Sequence, residues 1–188
     1  PALGDLRIGY MFARDALFPW RTAMDNVAVG LEARRVPKKE RREKARELLD
    51  AVGLGHAFDS YPSQLSQGMR QRVALARTFA LGAELLLMDE PFAALDAQTR
   101  ILLEEYVTQL WERDRSTVLF VTHDLAEAIV LSDRIILMSA SPGQIKRVFD
   151  VPLPRPRSAK QLQGDPRFHQ LYEEIWEDLS DEVVGSDQ

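Results

Sequence analysis

Cysteine is missing from all 188 residues. No disulfide framework and no thiolate metal site can therefore form, which fits a reducing compartment. Long apolar runs are missing as well. Stretches such as 85–88 and 118–121 are four residues each, far below the roughly 20 that a membrane-spanning helix needs. Positive charge is in deficit: 24 lysines and arginines face 29 aspartates and glutamates, a formal charge of -5. That balance argues against a general nucleic-acid binder, which needs a basic footprint. None of the ten glycines is followed by lysine, so these residues contain no Gly-Lys-Ser/Thr phosphate loop. What remains is an ordinary globular composition, 45% hydrophobic and 28% charged, at a length that suits one domain with a sizeable core.

The order of elements is legible from periodicity. Residues 7–12 read as a short strand, followed by a loop closing on Pro19-Trp20. Residues 21–32 place Met24, Val27, Ala28 and Leu31 on one helical face. Pro37 opens a second helix through residue 52, stopped by Gly53, with Ala45, Leu48, Leu49 and Val52 inward. Residues 67–81 form a third helix, ended near Gly82. The pattern then changes to apolar runs at 85–88, 118–121 and 135–138, which resemble parallel strands buried on both faces. Helices at 97–113 and 125–131 lie between them, so the expected fold is α/β with right-handed crossovers. Residues 144–151 add an edge strand and 152–157 an extended Pro-Arg linker. Residues 166–179 form a final amphipathic helix, and 180–188 a frayed tail. The division is a helical region at 21–81, a core portion at 82–151, and a C-terminal linker and helix at 152–188.

Four short segments carry chemistry. Leu85-Leu86-Leu87-Met88-Asp89-Glu90-Pro91 ends an apolar strand in two carboxylates, at the sheet edge where open α/β folds bind ligands. Asp89 can hold Mg²⁺ and Glu90 can orient or deprotonate a water. The plainer reading is a strand that emerges into a polar turn. Thr122-His123-Asp124 follows the next strand, where a histidine can donate to a phosphate or simply belong to a turn. Ser66-Gln67-Gly68 precedes a helix whose free amides and dipole favour an anion, although any Ser-x-Gly can be an ordinary cap. Ala93-Ala94-Leu95-Asp96 reads first as a small-residue turn with a helix N-cap.

In this order and spacing, Leu65-Ser66-Gln67-Gly68-Met69-Arg70-Gln71-Arg72, residues 85–91, Ala94-Leu95-Asp96 and Val121-Thr122-His123-Asp124 resemble the ATP-binding-cassette ATPases. The likeness implies a P-loop NTPase-like parallel sheet, incomplete at its N-terminal side, with an α-helical signature subdomain and a C-terminal helix. It implies that Ser66, Gln67 and Gly68 meet the γ-phosphate of ATP held by a paired, homodimeric ATPase subunit. It further implies Asp89 as the Mg²⁺ residue, Glu90 as general base, His123 as switch histidine and Asp96 as D-loop residue. Asp15-Ala16-Leu17-Phe18-Pro19-Trp20-Arg21-Thr22, then Asp25-Asn26-Val27, resemble the nitrate, sulfonate and taurine importers. So do Pro142-Gly143-Gln144-Ile145 and Asp165-Pro166-Arg167-Phe168. The implied partners are transmembrane permease subunits and, indirectly, a solute-binding protein, with no nucleic acid. The implied place is the cytoplasmic face of the inner or plasma membrane, held peripherally. Phe18 and Trp20 are candidates for the permease contact.

Three departures stand out. The phosphate loop would lie upstream of Arg7, so this chain, which starts at Pro1, is expected to be the C-terminal portion of a cassette that binds Mg-ATP weakly by itself. Ala13 stands at the Q-loop position, where the family has a glutamine. The signature reads Ser-Gln-Gly-Met, with Gln67 in place of its first glycine. The rival function is a non-hydrolytic or regulatory cassette that pairs with a competent partner. The acidic balance and importer-like ending disfavour a third, a cassette acting on nucleic acid.

Overall fold

A computed structural model of the chain describes residues 7–93, 95–139, 142–162 and 164–185. Contacts divide it into two compact units, one through Val121 and the other from Thr122 onward. This boundary falls inside the 82–151 stretch that the sequence groups together.

In the first unit, β1 (Ile8–Met11), β2 (Leu85–Asp89) and β3 (Thr117–Val121) form a parallel sheet in that order. The register sets Met11 beside Met88 and Asp89 beside Val121. Parallel neighbours need a crossover. Between β2 and β3 it is α4 (Ala97–Asp114). Between β1 and β2 the chain builds α1 (Ala23–Ala33), α2 (Lys38–Ala51) and α3 (Gln67–Ala80), which pack on one another. Three of these four helices start on a side-chain cap. The Thr22 hydroxyl accepts from the Asp25 amide at 3.2 Å, and Ser66 and Asp96 cap α3 and α4 in the same way. Past the end of α2, Gly53 takes φ +68°, where a side chain would be strained. Val27, Ala45, Leu48, Leu49, Val73 and Leu75 fill the space between these helices.

The apolar strands are not buried on both faces as their continuous runs suggest. Burial alternates along β1, β2 and β3. Met11, Leu86 and Met88 are buried, while Ile8, Tyr10, Leu119 and Val121 on the opposite face are between 42% and 53% exposed. A run of leucines has no polar phase, so it cannot report that only one face is covered.

The second unit contains α5 (Leu125–Leu131), β4 (Arg134–Met138), β5 (Ile145–Asp150), α6 (Ala159–Leu162) and α7 (Pro166–Gly185). Here another expectation is corrected. Residues 135–138 do not extend the parallel sheet; β4 pairs antiparallel with β5, Ile135 opposite Phe149. Ile135, Leu137 and Phe149 point into a core with Ile129, Leu171 and Ile175, while Ile136 and Met138 face out. The C-terminal helix also continues to Gly185, past the 180–185 part of the tail expected to fray, and 186–188 lie outside the described residues. The Pro-Arg linker is held by Arg157. Its buried guanidinium donates to the carbonyl oxygens of Ile129, Ser132, Val151 and Leu153, satisfying acceptors that burial would otherwise leave unpaired. Among the described residues no helix is long and apolar enough to cross a membrane.

Candidate functional site

The end of β2 is the centre of the site in the first unit. Asp89 is the last residue of the strand and exposed. One of its carboxylate oxygens accepts from the Tyr10 hydroxyl at 3.2 Å, across the β1–β2 pairing. The Tyr10 hydroxyl is held above its ordinary pKa, by desolvation first and then by this carboxylate. Glu90 leaves the strand with φ +43°, a conformation unusual for a residue with a side chain. Its amide donates to Val121 O at 2.9 Å and its carbonyl accepts from Ala93 at 3.3 Å. The strand ladder thus continues one residue past Asp89, and the turn then bends sharply. Strain of this kind persists where packing over-determines it, commonly at working sites. Phe92, completely buried beneath the turn, supplies that packing.

Two contacts tie α3 to the segments that follow β2. Gln71, buried inside α3, donates to Pro91 O at 2.5 Å. Gly68, in the first turn of α3, lies against Thr99 of α4: a Cβ added at Gly68 would come within 2.8 Å of the Thr99 methyl. Thr99 also holds Asp96, through its amide at 3.0 Å and its hydroxyl at 2.7 Å. The hydroxyl bond first, then the amide, lowers the Asp96 carboxyl pKa below the usual range. The expected signature glycine and D-loop aspartate are therefore neighbours through Thr99, a residue the sequence did not single out. A threonine three residues after an N-cap aspartate was the available signal. Ser66 keeps its cap, its hydroxyl accepting from Met69 N at 3.2 Å. Gln67 begins α3 and is absent from the residues with positive φ, so replacing glycine there causes no backbone strain.

Ala13 follows β1 and is exposed. The neighbouring Asp15 carboxylate accepts from Arg70 Nε at 2.9 Å and from Leu17 N. Arg77 grips the same loop, donating to Asp15 O and Ala16 O. Buried Asn26 closes it further on, accepting from Phe18 N and donating to Phe18 O, Arg21 O and Thr22 O. Phe18 and Trp20 end the loop in ring contact at 5.5 Å, with Trp20 70% exposed. Core packing does not account for Trp20.

His123 belongs to the second unit. It is exposed, in the turn that opens α5. Thr122 Oγ1 accepts from Asp124 N at 3.0 Å and donates to the buried Glu127 carboxylate at 2.7 Å. Asp124 caps α5 by accepting from Ala126 N and Glu127 N. The residues on both sides of His123 are thus anchored.

Residues 4–93 match the family described as ABC transporter. An uncharacterised ABC transporter ATP-binding protein of Methanocaldococcus jannaschii is 46% identical over 95% of this chain and 65% of its own length. A putative ATP-binding protein of Brucella abortus is 41% identical over 96% of this chain and 69% of its own. The taurine import ATP-binding protein of Rhizobium johnstonii is 40% identical over 89% of this chain and 65% of its own. A solved dimeric ATP-binding cassette, in a post-hydrolysis state with ADP and phosphate, superposes with a TM-score of 0.66 at 34% identity. That superposition covers 79% of this chain and 64% of the other. The chain belongs to the ABC transporter ATP-binding family. It spans about two thirds of the length of these curated relatives.

Proposed function

We propose that this chain serves as the ATP-hydrolysing subunit of an importer of the nitrate, sulfonate and taurine kind. The observation that carries the reading is the end of β2, where an exposed Asp89 is followed by Glu90 in a left-handed turn fixed by Val121 and Phe92. Magnesium is held in phosphoryl-transfer sites by one or two carboxylates plus substrate phosphates, and Asp89 fits that donor set. Bound Mg-ATP supplies the transferable phosphoryl group and neutralises its developing charge. Glu90 takes the proton of the attacking water. The start of α3, with Ser66, Gln67 and Gly68, offers its amides to the γ-phosphate on a paired subunit. Asp96 takes the D-loop role towards the paired subunit, and His123 takes the role of switch histidine. The likeness to the taurine import protein supports the solute class. Permease docking near Phe18 and Trp20 and a peripheral place at the membrane complete the proposal.

The test needs a phosphate loop, so it uses the subunit with such a loop preceding this segment. Glu90→Gln should lower ATP turnover at least about 100-fold, the scale of lost general-base catalysis, while ATP-dependent dimers persist. Normal turnover in that variant would remove Glu90 from the role of base.

A further inference from the structure

Strand β1 meets the end of β2 through a single polar side chain. Residues 8–13 read Ile-Gly-Tyr-Met-Phe-Ala, so the Tyr10 hydroxyl is the one side-chain oxygen or nitrogen in this stretch. Ala13, at the Q-loop position, offers no ligand atom. Any side-chain chemistry that residues 8–13 bring to the sheet edge passes through Tyr10.

Register explains why Tyr10 reaches Asp89. Tyr10 lies opposite Leu87, and side chains two positions apart on a strand share a face. Asp89 therefore stands on the same face as Tyr10, one pleat further on. The Tyr10 hydroxyl donates to Asp89 Oδ2 at 3.2 Å. The phenol ring packs on Phe12, with ring centroids 4.4 Å apart. Both Tyr10 and Asp89 are exposed, where water competes for the same groups, so the bond adds little to folding.

The bond has a clearer use in metal binding. Among the described residues, no group of three His, Cys, Asp or Glu could hold a metal ion. A lone carboxylate must then serve a cation that demands near-ideal octahedral geometry. An exposed aspartate rotates freely about its side-chain bonds, and a hydrogen bond to one oxygen fixes the direction of the other. Carboxylates that ligate metals are held in this way by outer partners. We propose that Tyr10 is a positioning residue for magnesium, its hydroxyl holding Asp89 Oδ2 and leaving Oδ1 to the cation. The inference rests on the reading of Asp89 as the Mg²⁺ residue and adds a residue that acts through it.

The test uses the subunit with a phosphate loop preceding this segment and reads metal binding rather than turnover. Mn²⁺ replaces Mg²⁺, the β,γ-imido analogue of ATP prevents hydrolysis, and electron paramagnetic resonance measures free Mn²⁺. Tyr10→Phe removes the hydroxyl alone and should weaken Mn²⁺ binding about ten-fold, the low end for a lost outer partner. Binding of the same analogue in EDTA should stay unchanged; an equal loss there would assign Tyr10 to packing and overturn the proposal. Asp89→Asn is the reference and should weaken Mn²⁺ binding further. If Asp89→Asn loses Mn²⁺ while Tyr10→Phe binds it normally, the role of Tyr10 falls and the reading of Asp89 stands. If Asp89→Asn binds Mn²⁺ normally, or the unaltered subunit takes up none, Asp89 is not the metal residue and both fall.

Discussion

At the scale of single residues, Gly68 shows how one position answers to two demands. Its place in Ser66-Gln67-Gly68 suggests close approach of a phosphate, and packing adds a second reason, the Thr99 methyl 2.8 Å from where a Cβ would stand. Gly68→Ala should therefore destabilise the first unit by about 1–3 kcal/mol through overpacking. Adding Thr99→Ser removes the methyl yet keeps the hydroxyl that donates to the Asp96 carboxylate, so the double variant should recover most of that loss. Urea unfolding of the four proteins checks this; strict additivity would show that the contact does not matter. Asp89, Glu90 and His123 could be singled out as candidates from their places at strand ends, and the family resemblance supplied the roles proposed for them. The left-handed turn at Glu90 was not legible, because nothing in Asp-Glu-Pro specifies a positive φ. The turn is held by Val121 O and Phe92 from surrounding structure.

At the scale of elements, helices were read closely. Their starts rest on local caps, Thr22, Ser66, Asp96 and Asp124, and α2 ends next to the positive-φ Gly53. Strands were read less well. The runs at 85–88 and 118–121 fixed that strands form there but not how many of their faces are covered. The same ambiguity concealed the antiparallel pairing of β4 with β5, since pairing depends on a partner distant in sequence. The outward face of the parallel sheet, with Ile8, Tyr10, Leu119 and Val121, leaves apolar surface in contact with solvent. Such surface drives association. Sedimentation should show oligomers of the 188-residue chain growing with concentration, and Leu119→Lys should shift them towards monomer. A chain that stays monomeric at every concentration would contradict this.

At the scale of the whole molecule, acid stability follows from several surface carboxyls. The Arg21 guanidinium holds Glu32 below its ordinary range, Thr99 does the same for Asp96, and Arg167 for Asp165. A carboxyl with a lower pKa folded than unfolded adds stability above its unfolded value, and that stability disappears as pH falls through the folded value. The urea midpoint should therefore stay level from neutral pH to about 5 and decline below about 4, where unfolded carboxyls begin to take up protons. A midpoint that rises on acidification would exclude these bonds as contributors.

By itself the sequence determined the family and the run of elements, and it singled out the side chains proposed to react. Each of these depends on residue order over a few positions, through periodicity, capping and motif spacing. Tertiary structure alone decided which distant residues share a contact: Tyr10 with Asp89, Gln71 with Pro91, Thr99 with Gly68, and β4 with β5. Pairing across tens of residues is set by how faces pack, and short-range order carries no record of that.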